Sequence, residues 1–157
     1  MGPGRAYVLD PGSAELRWMG ATSTHFLATG ELTGGRFAMI DERAPRGVGA
    51  PLHTHADDDE SFYVVEGEVT FFLGEAPPRL GGPGTFVYVP GGVVHGFRIE
   101  SETARYLIFT TVRHGAFYRA ITLPSREGGL APHEKVEGET IRRACREYGI
   151  EFVGPLP

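Results

Sequence analysis

The sequence predicts an all-β fold, an antiparallel sandwich or barrel, on three observations. Short apolar runs alternate with a period of two residues. Glycine and proline are abundant, 23 and 12 residues of 157, and they fall between those runs as turn punctuation. Successive runs follow one another without an intervening helix pattern, which disfavours parallel βαβ units.

One domain is expected over residues 1–157, because that length buries one core. Its N-terminal strands (1–35) are "RAYVLD", "AELRWMG" and "THFLATG". The barrel core (about 36–112) opens with "RFAMIDER" and continues through "ESFYVVEG", "EVTFFLG", "GTFVYVP", "VVHGFRIE" and "RYLIFTTV". Gly67, Gly74, "GGPG" at 81–84 and "PGG" at 90–92 break the runs. The tail (113–157) changes character. "GAFYRAIT" reads as a short helix or turn, and "SREGGLAPHEKVEG" as a loop. In "ETIRRACREYG", Ile141, Ala144, Cys145 and Tyr148 make the stripe of an amphipathic helix that Gly149 ends. The tail is expected to pack on the strands as a lid or brace. Cys145 lies on the stripe and reads as a small hydrophobe.

Composition excludes some functions. The formal net charge is -5 and no basic cluster occurs, so nucleic acid is not an expected partner. Cys145 is the only cysteine, which rules out an internal disulfide and suits a reducing compartment. No apolar run approaches the ~20 residues of a membrane span. "MGPGRAYV" has neither a hydrophobic signal core nor a myristoylation motif, and a cytoplasmic location is expected.

The chemistry concentrates in "PLHTHADDDESF". On a strand, His53 and His55 project from one face, ~6.6 Å apart along the chain. Glu60 is at an odd offset from His55, so a continuous strand would turn it away. The aspartate run favours a turn or bulge that re-phases the chain and returns Glu60 to the same point. A third histidine, His95, follows the "PGG" turn. Three imidazoles and a carboxylate suit a divalent transition ion, although each histidine taken singly is more often a surface or core residue. His25, His114 and His133 read as such residues, and "DDD" as a solvated turn.

The spacing resembles the cupins. Gly47, five residues, "HTH", four residues, Glu60, six residues and Gly67 reproduce the first cupin motif without a gap. Gly84, five residues, "PGG", two residues and His95 reproduce the second up to its last position, where Ile99 replaces the usual Asn. The resemblance implies a small antiparallel β-barrel of jelly-roll type. It also implies one divalent metal per chain (Fe, Mn, Ni, Co, Cu or Zn) held by His53, His55, Glu60 and His95. The motif glycines are expected at positive φ or close backbone approach.

Strand parity then turns Phe62 and Val64 inward with Glu60, and Phe97 and Ile99 inward with His95. These four are the candidate substrate pocket, apolar and suited to an aromatic ligand; the plainer alternative is barrel core. Further segments, "FLATGELTGGRF", "VPGGVVHGFR" and "EYGIEFVGPLP", are similar to quercetinase-like bacterial cupins. In quercetinases dioxygen opens the central ring of a metal-held flavonol, and the carboxylate matching Glu60 can take the substrate hydroxyl proton. The implied function is thus a metal-dependent dioxygenase on a flavonol-like or related enolic aromatic substrate. A non-oxidative isomerase, cyclase or decarboxylase, and a small-molecule-binding cupin, are the alternatives. Outward-facing Tyr63 and Val65 point to a homodimer, built through the sheets or an exchanged N-terminal strand.

Overall fold

The computed structural model describes residues 4–157. Twelve strands form in chain order: β1 (Glu15–Met19), β2 (Thr22–Ala28), β3 (Ala38–Pro45), β4 (Gly49–His55), β5 (Glu60–Glu66), β6 (Val69–Leu73), β7 (Arg79–Gly81), β8 (Phe86–Val89), β9 (His95–Ile99), β10 (Thr103–Thr110), β11 (Leu123–Pro124) and β12 (Ile150–Gly154). Among the described residues three α-helices, α1 (Gly30–Thr33), α2 (Val112–Ala120) and α3 (Gly138–Tyr148), and a short 3-10 turn (Glu127–Gly129) join them.

All pairings are antiparallel, in two sheets of order β11-β1-β2-β3-β10-β5-β8 and β12-β4-β9-β6-β7. The expected closed barrel is corrected to a jelly-roll sandwich. No strand of one sheet bonds to the other, so each sheet keeps its own edges and the inner faces meet through side chains. Those faces supply the core: Phe26, Ile40, Phe62, Val64, Phe71, Phe97, Ile99, Tyr106 and Ile108 are all buried in one cluster. Period-two parity holds along β5, where Phe62 and Val64 are buried and Tyr63 is exposed.

Two further expectations change. "RAYVLD" forms no strand: Val8 is 88% exposed, and β1, between β2 and β11, has no free edge to offer. The tail is not purely helical. After α3, whose buried Ala144 and Cys145 face α2, the chain turns at Gly149 and adds β12 to the edge of β4. The expected amphipathic stripe of α3 is correct, and its burial raises the Cys145 thiol pKa. Gly47, Gly67 and Gly84 have φ of 80°, 78° and 89°, as the motif spacing requires.

Candidate metal site and cavity

β4 and β9 are neighbours with His53 opposite His95, and His55 lies two residues further along the same face. Glu60 arrives from the other sheet. "ADDD" carries the chain from β4 across to β5, so the sheet change restores Glu60 to the point that the histidines face. The "PGG" turn fixes this crossing. Gly92 N–H donates to the His55 carbonyl at 2.9 Å, and Gly91 N–H to Asp59 Oδ1 at 3.0 Å. A side chain at Gly91 would meet the Ala56 carbonyl oxygen at 2.6 Å, so the two turns can pack only with glycine there.

The four expected ligands come together. One donor atom from each of His53, His55, Glu60 and His95 lies within 4.8 Å of all the others, and all four residues are buried. Each imidazole is oriented by a backbone carbonyl at Nδ1: Pro51 at 2.8 Å from His53, Asp58 at 2.6 Å from His55 and Val93 at 2.9 Å from His95. A carbonyl only accepts, so Nδ1 carries the proton and Nε2 turns its lone pair to the common point.

His55 Nε2 and His95 Nε2 are 3.3 Å apart, and Glu60 Oε2 is 3.2 Å from His95 Nε2. Nitrogen and carboxylate donors converging in a buried space suit a cation. The residues fit a divalent metal.

The electrostatics agree with that fit. Burial lowers the His53 pKa to about 4, with His95 adding to the effect, so His53 stays neutral. Burial alone would lower His55, but its contacts with Glu60 outweigh this and raise it. Burial alone would raise Glu60, yet His114, His55 and His95 hold its carboxyl well below the usual range.

His114 is the residue that sequence reasoning missed. It is 1% exposed, and its Nε2–H donates to Glu60 Oε1 at 3.2 Å. Tyr118, one turn further along α2, donates its O–H to the same oxygen at 2.9 Å. Glu60 is therefore two-faced: Oε2 faces the histidine cluster, and Oε1 is held by α2. The expectation of a surface or structural role fits His25, which is half-buried, and exposed His133, but not His114.

"DDD" is likewise more than a solvated turn. Asp57 and Asp59 are exposed, whereas Asp58 is 2% exposed. Its carboxylate accepts from Thr111 Oγ1 and Arg113 Nη1, while its carbonyl holds His55 Nδ1. Thr111 also caps α2 by accepting from His114 N–H. Asp58 thus ties the first histidine loop to the helix that grips Glu60.

Beside the cluster lies a cavity of about 160 Å3 that opens to solvent. His53, Glu60, His114 and Tyr118 line one part, Glu42 and Tyr106 another, and Val48, Phe97, Phe117, Ile121, Ile141 and Phe152 much of the rest. Of the four expected pocket residues, Phe97 faces this cavity; Phe62, Val64 and Ile99 sit in the closed sandwich core, where strand parity alone could not separate lining from filling. The wall from α2, α3 and β12 is what the tail contributes.

Residues 39–110 match the family described as Cupin domain. The chain is 28% identical to quercetin 2,3-dioxygenase of Bacillus subtilis over 129 residues, which are 82% of this chain and 38% of that protein. The polyketide cyclase RemF from Streptomyces resistomycificus shares the fold with a TM-score of 0.61 at 20% identity, over 69% of this chain and 80% of that one. A predicted oxalate decarboxylase from Thermotoga maritima does so with a TM-score of 0.60 at 16% identity, over 67% of this chain and 98% of that one. Motif spacing, two-sheet fold and the buried three-histidine, one-carboxylate cluster agree with these matches: residues 39–110 carry a cupin domain, and the chain is similar to the quercetinase-like kind.

Proposed function

We propose that the protein is a metal-dependent dioxygenase acting on a neutral, flavonol-like or related enolic aromatic substrate. The observation that carries this reading is the pairing of a three-histidine, one-carboxylate cluster with a cavity that has no lysine or arginine in its lining among the described residues. An oxalate or a sugar phosphate enters as an anion and needs a cation in addition to the metal; an enol does not. The similarity to quercetin 2,3-dioxygenase points the same way.

A divalent transition ion held by His53, His55, Glu60 and His95 would supply Lewis acidity toward an enolic oxygen and open positions for substrate and dioxygen. The chain's own residues do the rest. Glu60, a weak base while the histidines hold it ionised, becomes the proton acceptor when substrate displaces it from the cluster, and the Tyr118 and His114 bonds to Oε1 place it. Tyr118 keeps its own proton, because burial and the nearby carboxylates raise its pKa well above 10. Phe97, Phe117 and Ile121 exclude water from the reacting ring. The cavity matches a single aromatic ring, for which ~150 Å3 suffices, so the enol ring enters and the remainder of a larger substrate lies in the mouth.

The test is oxygen uptake by metal-loaded protein with quercetin and simpler flavonols, followed by carbon monoxide detection. Turnover that persists without oxygen would move the protein to a non-oxidative reaction, the reading that the shared fold of the polyketide cyclase keeps in view. Ligand binding with no turnover in either atmosphere would make it a binding protein.

A homodimer completes the reading. Tyr63, Phe86, Tyr88 and Phe109 are 45–64% exposed on adjoining strands β5, β8 and β10, while Val65 is half-buried. A second copy seated on this outer face would cover them. Light scattering should give twice the 17.0 kDa chain mass, and Phe86→Glu with Tyr63→Glu should halve it. A monomeric wild type refutes the dimer.

A further inference from the structure

Glu42 faces the same cavity and has no part in the reaction described above. It stands on β3 in register with Thr24 of β2 and Tyr106 of β10. The inward positions of β3 are Ala38, Ile40, Glu42 and Ala44, all buried, so a carboxyl interrupts an otherwise apolar row. It is 6% exposed. Thr24 Oγ1 donates to its Oε1 at 2.8 Å, and the Tyr106 O–H donates to its Oε2 at 2.9 Å.

Among the described residues no lysine or arginine pairs with it. The charged groups that act on it are other carboxylates, and the cavity lining holds no lysine or arginine among the described residues. A carboxylate has about four acceptor sites, of which two are used here, so hydrogen-bonding capacity remains. Ala38 is in register with Thr110, which is in register with Glu60. Glu42 lies four residues further along β3, ~13 Å of extended chain. Glu42 nonetheless lines one cavity with His53 and Glu60, and the rest of that lining is largely apolar.

From this placement we infer that Glu42, backed by Thr24 and Tyr106, is a ligand-recognition group of the cavity outside the histidine cluster: it hydrogen-bonds a hydroxyl of a neutral ligand and rejects an anionic one. The inference rests on the enolic-substrate reading and narrows it to hydroxylated, uncharged substrates. Burial also raises the Glu42 pKa to about 7 against the two bonds that lower it, so near neutrality it offers either a donor or an acceptor. A ligand carboxylate would add negative charge to a desolvated space already holding Glu42 and Glu60.

Three 5-hydroxy-4-pyranones test this. They share the chelating enolone and differ only at carbon 2, which bears methyl (allomaltol), hydroxymethyl (kojic acid) or carboxylate (comenic acid). Binding is measured by calorimetry on protein loaded with redox-inert zinc, so no turnover intervenes. Wild type should bind the hydroxymethyl compound about tenfold tighter than the methyl compound, and the carboxylate at least about tenfold weaker than it. Glu42→Leu should abolish the hydroxymethyl preference. Glu42→Gln, which keeps shape and hydrogen bonding should the leucine variant misfold, should let the carboxylate gain about tenfold. Equal binding of the three by wild type, no gain by the carboxylate compound in Glu42→Gln, or no binding of any of them overturns the inference. Absence of oxygen uptake with quercetin would instead sink the dioxygenase reading and leave this ranking intact.

Discussion

Glu60 and Glu42 project from the same sheet toward one cavity, both at most 6% exposed and both hydrogen-bonded, yet they are opposite kinds of acid. Burial pushes both carboxyls toward the neutral form. Around Glu60, three imidazoles reverse that push and hold it ionised. Around Glu42 the hydroxyls of Thr24 and Tyr106 reduce the push without cancelling it, the Glu60 and Asp41 carboxylates add to it, and its pKa reaches about 7. Desolvation is common to the two; the neighbours decide the charge. The surroundings of Glu60 thereby suit a cation, and those of Glu42 a neutral polar group.

The largest expected effect breaks the cationic end outright. His95→Ala removes one of the three imidazole donors of the cluster, and metal analysis after dialysis should show affinity reduced more than about 100-fold, beyond what loss of an outer partner costs. Turnover should vanish with it. Undiminished occupancy in both this variant and His53→Ala would remove the site as described.

Glu60→Gln asks whether the ionised acid is needed for retention or for chemistry. Three imidazoles can hold a divalent ion unaided, so most metal should stay while turnover falls about 100-fold or more, the scale of one positioned base. A metal-free variant would make Glu60 a structural ligand. A loaded and fully active one would show that the base is elsewhere.

Stability against pH sharpens the contrast from the other end. A carboxyl raised from 4.5 to about 7 binds its proton more tightly in the folded chain than in the unfolded one. Its contribution is present below about pH 4.5 and is lost as pH rises through about 7. Across that window wild type should lose about 3 kcal/mol that Glu42→Gln retains. Urea unfolding at pH 5 and pH 8 for both proteins gives the difference directly, and parallel pH profiles would place Glu42 in an ordinary ionised state.

The smallest effect separates the grip on Glu60 from Glu60 itself. Tyr118→Phe removes one of two donors to Oε1 but neither the metal ligands nor the cavity wall. The expected loss is about tenfold in kcat with metal content unchanged, since an outer partner is worth ten- to hundredfold. A change in KM alone would assign Tyr118 to substrate contact instead.

The cluster residues were legible in the sequence because they lie on strands with a fixed period. His53 and His55 share a face by parity, and "PGG" marks where His95 must begin its strand. Glu42 was legible by the same rule, since "AMIDERA" alternates buried Ala38, Ile40 and Ala44 with a carboxyl among them. That break in an inward row is the signal that a parity reading of β3 would have caught. His114 had no such signal. It sits on a nine-residue helix 54 residues from Glu60, and nothing local distinguishes it from a surface histidine.

Periodicity and turn chemistry are local, so the sequence by itself determined strand identity, inward faces, the glycine-dependent turns and the cluster that the first two motifs assemble. Only the tertiary structure decided that the sheets stay open, that "RAYVLD" finds no edge, and that β12 joins β4 beside His53 and His55. It alone brought α2 onto Glu60 through the Asp58 contacts and divided cavity lining from core. Those outcomes depend on which distant surfaces meet, and the free energy of such a meeting belongs to the pair of surfaces, with no counterpart in either segment alone.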